Sequence, residues 1–183
     1  MDSQSNLKHA KISDFSTFFA VKMQIIKYAF LSLVLGAGIF FSLNKTIPNA
    51  TFTTLNGEKM SFEKLRGKPV VVTFWATDCE SCLKEIPLWL DLYARYHAQG
   101  LEIIGVSMYF DPPNHVIEFV KQRPLSYSIT LDIEAKLANA FGGVKVTPTT
   151  FLLNPKGEIV WQKVGLFEST ELEFQIKKFL KEN

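Results

Sequence analysis

The chain has 183 residues, 47% of them hydrophobic and 21% charged, with a formal net charge of +2 at pH 7. This length suits one domain with a short additional segment. A charge near zero, without a basic block interleaved with aromatic residues, argues against nucleic acid as a main partner. The two cysteines are too few for a disulfide framework, so burial of apolar side chains must hold the fold together.

An uncharged apolar run from Tyr28 to Leu43 sets the N-terminal part apart. With the two isoleucines before it, the stretch 25–43 approaches the ~20 residues that span a bilayer. The lysines that precede or begin this stretch orient it by the positive-inside rule: Lys8, Lys11, Lys22 and Lys27. We therefore expect a cytoplasmic segment (1–24), a single-pass anchor in a bacterial inner membrane (25–43), and a domain (44–183) in the periplasm or otherwise outside the cytoplasm. A signal peptide is the alternative, although bulky residues after the run offer no clear cleavage site.

The first elements after this run are short. Within 52–62, the Asn56-Gly57 pair separates two strand-like pieces and predicts a hairpin, because both residues tolerate positive φ. Ser61–Arg66 indicates a helical turn that Gly67 ends. The apolar run Val70–Trp75 then predicts a strand that is buried on both faces.

A strand–helix–strand unit follows. The pattern over Cys79–Gln99 predicts a long helix with Gly100 beyond its C-terminus and Pro87 as a bend inside it. Leu101–Met108 predicts a second buried strand. Two strands joined through a helix in this way are expected to be parallel, with a right-handed crossover.

The remaining pattern predicts three helices and three strands. In chain order they are a helix over Asn114–Gln122, a strand over Ser126–Leu131, a helix over Ile133–Phe141, strands over Thr149–Leu153 and Glu158–Val164, and a last helix capped by Ser169.

Cys79 and Cys82, the only cysteines, stand where the first buried strand gives way to the long helix. The unpaired N–H groups and partial positive charge of a first helical turn favour a thiolate, which is the species that attacks disulfides. One turn apart, the two side chains share a helix face. This pattern favours dithiol/disulfide exchange over two purely structural alternatives, a zinc site and an inert disulfide. Structural zinc would need further ligands near the pair, and an inert four-residue disulfide loop would stabilise the fold little.

The order of elements and three motifs resemble the thioredoxin superfamily, and within it the TlpA/ResA-like thiol:disulfide oxidoreductases. The resemblance covers about residues 48–180, and its carriers are the stretch Phe74-Trp75-Ala76-Thr77-Asp78-Cys79-Glu80-Ser81-Cys82, Pro87, and Val146-Thr147-Pro148-Thr149. It implies an α/β thioredoxin-like fold with a central mixed sheet flanked by helices and an extra N-terminal hairpin.

The same resemblance implies roles for the site residues. Cys79 is expected to attack the substrate disulfide and Cys82 to resolve the mixed disulfide. Pro148 is expected to be a cis-proline facing the disulfide, which leaves the Thr147 backbone free to pair with an extended substrate. Trp75 is expected to pack beneath the site, although a plain core aromatic would satisfy the same pattern.

Three acidic residues lie around the cysteines. Glu85 matches an acidic position that ResA-like proteins use beside the active site, where a shielded carboxylate of raised pKa would move protons; the alternative is a solvated carboxylate on the helix surface. Asp78 and Glu80 flank Cys79, and their charges should oppose a thiolate there. A higher thiolate pKa stabilises the reduced form less, so the pair is expected to be a better reductant.

These observations predict a membrane-anchored reductase of disulfides in exported proteins, with cytochrome c maturation as one role that the resemblance suggests. It would be recharged by a membrane electron donor of the DsbD/CcdA kind and would require no organic cofactor or metal. The alternative is a Sco-like copper metallochaperone. That function needs a histidine beside the thiolates, and only His115 of the three histidines (His9, His97, His115) is suitably placed.

Overall fold

The computed structural model describes residues 50–181. Within this range, none of the helices has the length and apolar character needed to cross a membrane. The segments predicted as a cytoplasmic N-terminus (1–24) and a membrane anchor (25–43) lie outside the described residues, and they remain predictions.

A short antiparallel hairpin precedes the central sheet, as the Asn-Gly signal predicts. Its strands are β1 (Thr51–Thr53) and β2 (Lys59–Ser61), and a five-residue loop joins them. Of the predicted turn pair, only Gly57 has a positive φ, at 82°. The loop is longer than a two-residue turn because it also joins the main sheet: the Leu55 N–H donates to the Ile129 carbonyl oxygen at 2.8 Å.

A five-stranded mixed sheet forms the centre of the fold. Its strands are β3 (Val70–Trp75), β4 (Glu102–Ser107), β5 (Ser128–Leu131), β6 (Thr149–Leu153) and β7 (Ile159–Val164). They lie in the order β5-β4-β3-β6-β7. The first three are parallel, as predicted for β3 and β4, whereas β6 and β7 are antiparallel to their neighbours.

The helices are α1 (Glu80–Tyr96), α2 (Pro113–Gln122), α3 (Lys136–Ala140) and α4 (Ser169–Lys181), with a 3₁₀ turn over His97–Gln99 after α1. The predicted long helix over 79–99 is therefore confirmed, with Cys79 as its N-cap. Pro87 lies inside α1 as expected, and the bend there stays a prediction.

Two apolar clusters cover the two faces of β3, which is buried throughout. Val72 and Phe74 belong to a cluster that includes residues of the hairpin and of α3. Val71 and Trp75 belong to another cluster, which includes residues of α1, α2 and α4. This alternation follows from the two-residue period of a strand. The predicted strand buried on both faces is thus confirmed, and a short turn after its carboxyl end leads to Cys79 at the N-cap of α1.

The predicted helix over Ile133–Phe141 is longer than the observed one, because an aspartate carboxylate caps α3 from outside. Asp132 accepts hydrogen bonds from the N–H groups of Leu137 and Ala138 at 2.9 and 2.7 Å. Residues 133–135 form a turn instead, and Ala135 has a φ of 53°. A side chain that accepts these N–H bonds competes with helix formation in the residues just before them.

Candidate active site

The two cysteines form a disulfide at the start of α1. Their sulfur atoms are 2.02 Å apart, and their Cα atoms are separated by 5.2 Å. Cys79 has extended backbone angles as the N-cap residue, and the Cys82 N–H donates to its Sγ at 3.2 Å. A backbone donor of the first helical turn therefore faces the sulfur that would carry negative charge after reduction.

The two sulfur positions differ in access. Cys82 is buried, with 3% of its surface exposed, whereas Cys79 is partly exposed. The Ser81 hydroxyl lies 3.4 Å from the Cys79 sulfur. A large partner would therefore meet Cys79 first, and Cys82 would remain shielded behind it.

Glu85 is buried one turn after Cys82. It is 5% exposed, and its Oε1 has no hydrogen-bond partner in the described part of the chain. Burial raises the pKa of Glu85 to about 7. Residues three apart on a helix lie on the same face, so this carboxyl group is on the cysteine side of α1. The alternative of a solvated surface glutamate is wrong.

Trp75, at the end of β3, packs in the same apolar cluster as Cys82. Its ring centroid is 5.5 Å from that of Phe119, and its buried Nε1 lacks a partner among residues 50–181. Trp75 therefore lies in the same apolar core that buries Cys82, and its part in binding a substrate stays a prediction.

Two residues next to Trp75, Gly105 and Tyr127, have no signal in the local sequence that marks them as neighbours of the site. A Cβ atom at Gly105 of β4 would lie 3.2 Å from the Trp75 Nε1 and 3.3 Å from the Tyr127 ring. The glycine therefore leaves room for both aromatic side chains against β4. Burial, and to a smaller extent the charge of Glu85, raises the pKa of Tyr127. Trp75, Tyr127 and Glu85 thus form a buried group on the inner side of the cysteines.

The two acidic residues beside Cys79 do not have the same environment. Asp78 and Glu80 are both exposed, but the Glu80 carboxylate contacts the Lys84 ammonium at 2.7 Å. This contact lowers the pKa of Glu80 and partly neutralises its charge. The expectation that both charges oppose a Cys79 thiolate therefore applies mainly to Asp78.

The segment before β6 lies at the cysteine end of the sheet. The Thr147–Pro148 peptide bond is cis, as the resemblance implies. Thr149 pairs with Phe74 of β3, so the two preceding residues lie beside the strand end that leads to Cys79. Pro148 is buried and Thr147 partly exposed, while the Val146 side chain is 58% exposed.

A further acidic residue, Asp111, contacts the chain between β3 and α1. Its carboxylate accepts hydrogen bonds from the Thr77 N–H and the Thr77 hydroxyl, both at 2.7 Å. Asp111 is 5% exposed. Its contact with Thr77 has no local sequence signal, because the two residues are 34 positions apart and Asp111 lies in a loop without a motif.

Within residues 50–181, no group of three His, Cys, Asp or Glu side chains is arranged to hold a metal ion. His115 is exposed in the first turn of α2. The copper alternative thus receives no support from the part of the chain that the structure describes.

Comparison with known proteins gives a consistent result. The model of the AhpC/TSA family matches residues 43–162. The thiol-disulfide oxidoreductase ResA of Bacillus thuringiensis (strain Al Hakam) is 34% identical over 137 residues, covering 74% of this chain and 78% of the relative. ResA of Geobacillus kaustophilus is 32% identical over 132 residues, with coverage of 72% and 75%. Among solved structures, StoA from Bacillus subtilis is similar with a TM-score of 0.61 and 27% identity, over 70% of this chain and 96% of that one.

Proposed function

The chain belongs to the AhpC/TSA family, as a ResA-like thiol:disulfide oxidoreductase of the thioredoxin superfamily, and we propose that it reduces disulfides in exported proteins. The observation that carries the exchange function and the roles of the two cysteines is the unequal access to their sulfur atoms. Cys79 is partly exposed at the N-cap of α1, whereas Cys82 is 3% exposed behind it. The accessible sulfur attacks first, and the shielded one resolves.

The reaction takes two exchange steps. In the reduced protein, the Cys79 thiolate attacks a substrate disulfide, forming a mixed disulfide and releasing one substrate thiolate. The Cys82 thiolate then attacks the Cys79 sulfur, which releases the second substrate thiolate and closes the Cys79–Cys82 disulfide. The substrate gains two electrons and the two thiol protons, while the protein is left oxidised.

Glu85 is the group that moves the proton of Cys82 in this scheme. A thiol must lose its proton before it resolves the mixed disulfide. Glu85 lies one turn away on the same helix face, and its pKa of about 7 allows it both to accept and to release a proton near neutral pH. The buried Oε1 without a hydrogen-bond partner fits an acceptor of this kind.

The reducing direction is supported by charge beside Cys79. Asp78 is exposed next to the attacking sulfur, and a negative charge there disfavours the thiolate. A dithiol whose thiolate is less stabilised is a stronger reductant. The Lys84 contact of Glu80 reduces that residue's share of the effect.

The proposed location is the outer side of a bacterial inner membrane. The uncharged run before residue 44 supports a single-pass anchor, and the lysines before it support a cytoplasmic N-terminus. A membrane electron donor of the DsbD/CcdA kind would then restore the dithiol. Apocytochrome c, kept reduced for haem attachment, is the substrate that we propose.

Trapping of mixed disulfides tests this function. The tagged Cys82→Ala chain is expressed in a bacterium that makes c-type cytochromes, and adducts are resolved on non-reducing gels and identified by mass spectrometry. We expect a few adducts that disappear on reduction, with an apocytochrome c among them. Many unrelated adducts would indicate a general reductase. Absence of adducts would contradict thiol exchange by this protein.

The Cys79→Ala chain is the matched control. It retains Cys82, but that sulfur is buried, so we expect no adducts. Adducts on Cys82 in this control would contradict the assignment of the attacking and resolving cysteines.

A further inference from the structure

The chain makes a tight turn between β3 and α1, immediately before the attacking cysteine. The Cys79 N–H donates to the Ala76 carbonyl oxygen at 3.2 Å, which places Thr77 and Asp78 at the centre of a β-turn. The N–H of Thr77, the second residue of this turn, has no acceptor within the turn itself. A backbone donor in this partly buried place needs a partner from elsewhere.

Asp111 supplies that partner and a second one. One of its carboxylate oxygens accepts from the Thr77 N–H and the other from the Thr77 hydroxyl, each at 2.7 Å. The Ser107 hydroxyl lies 3.5 Å from the carboxylate. The turn is thus held at two points by one buried side chain.

Backbone hydrogen bonds connect the Asp111 main chain to the central sheet. The Met108 N–H donates to the Trp75 carbonyl oxygen at 3.0 Å, which extends the pairing of β4 with β3 beyond the strand ends. The Asp111 N–H then donates to the Met108 carbonyl oxygen at 2.9 Å, closing a turn after β4. Asp111 therefore connects the turn before Cys79 to the rigid centre of the molecule.

We propose that Asp111 is a positioning residue for thiol–disulfide exchange. It holds the turn 76–79 so that, after reduction, the Cys79 sulfur remains at the N-cap of α1 and close to Cys82. Formation of the Cys79–Cys82 disulfide then requires little further ordering of the chain. This raises the effective concentration of one thiol toward the other. This role depends on the proposed exchange function of the two cysteines.

The quantity to measure is the equilibrium constant for oxidation by glutathione disulfide. In that reaction the glutathione S–S bond breaks, the Cys79–Cys82 bond forms, and two molecules of reduced glutathione leave with the thiol protons. The full-length protein is equilibrated in glutathione buffers, quenched with acid, and the two redox forms are separated. A constant that cannot be measured, because the cysteines do not exchange at all, would contradict the proposed function rather than the role of Asp111.

Five variants isolate the role of Asp111. Asp111→Ala loses both bonds to Thr77 and should lower the constant about tenfold. Thr77→Val loses only the hydroxyl bond and should lower the constant about threefold. Thr77→Ser keeps that bond and should therefore retain most of the wild-type constant. Asp111→Asn removes the charge but keeps an acceptor for the Thr77 N–H, so it should retain most of the wild-type constant. Asp91→Asn, on the exposed side of α1, is the surface control and should not change it.

Two results would overturn the proposal. One is a folded Asp111→Ala or Thr77→Val variant with the wild-type constant. The other is an Asp111→Asn variant that falls as far as Asp111→Ala, since the effect would then belong to the charge and not to the hold on the turn. Circular dichroism and thermal unfolding show whether each variant is folded. If Asp111→Ala is not, the comparison of Thr77→Val with Thr77→Ser decides, because serine keeps the hydroxyl that bonds Asp111 and valine lacks it.

Discussion

Replacing Glu85 with glutamine should change how the stability of the protein depends on pH. The side chain is buried, and its pKa rises from the ordinary value of 4.5 to about 7 because burial disfavours the charged form. The folded state therefore binds one more proton than the unfolded state between these two values. By linkage, the contribution of Glu85 to the free energy of unfolding falls as pH rises through this window and stays constant above it.

The magnitude follows from the two pKa values. At 1.36 kcal/mol per pH unit, a window from 4.5 to about 7 corresponds to a loss of up to about 3 kcal/mol at pH 8. Glutamine has nearly the same shape and does not ionise. We therefore expect Glu85→Gln to be close to the wild type in stability at pH 4.5 and more stable by up to about 3 kcal/mol at pH 8.

The assay is guanidinium unfolding of the oxidised protein and of the variant at intervals between pH 4.5 and pH 8. Glu118→Gln is the matched control, since Glu118 is exposed on α2 and its contact with Gln122 uses an oxygen that glutamine keeps. Stability curves of wild type and Glu85→Gln that stay parallel across the whole range would refute the argument, because they would show that Glu85 ionises as readily in the folded state as in the unfolded one.

Two further predictions concern the surroundings of the disulfide. Gly105→Ala should destabilise the protein by about 1–3 kcal/mol in thermal or denaturant unfolding, because the added Cβ would lie 2.6 Å from the Ile129 Cδ1 and 3.2 Å from the Trp75 Nε1; an unchanged midpoint would mean that these side chains move aside without cost. Asp78→Asn should lower the pKa of the reduced Cys79 thiol by up to about one unit, because it removes a neighbouring negative charge. The pH dependence of thiolate absorbance measures this, and an equal or higher pKa would contradict the electrostatic argument.

The sequence predicts those parts of the fold that depend on local pattern. The sequence predicts β3 and α1 closely, because an apolar run and a helical period each extend over many neighbouring residues and an N-cap position marks where α1 begins. The hairpin was predicted from its Asn-Gly pair, but its loop length was not, since the contact of Leu55 with Ile129 depends on a strand far along the chain.

Contacts between distant side chains limit what the sequence shows of the site. The cysteine pair and Glu85 stand in one helical motif, so they were identified together, but whether Glu85 faced solvent depended on what packs against α1. Asp111 is 34 residues from Thr77, and no spacing rule connects them. Gly105 likewise shows its role only when the Trp75 ring lies against it.

The most direct test of the central claim is reduction of insulin by the purified, pre-reduced protein, followed by the turbidity of the released B chain. We expect the wild type to reduce insulin stoichiometrically and to turn over when dithiothreitol is supplied, and Cys79→Ala to give no reduction above the dithiothreitol background. Reduction by Cys79→Ala at the wild-type rate would contradict the role of Cys79 as the attacking cysteine, and a wild-type protein that leaves insulin intact would contradict its function as a disulfide reductase.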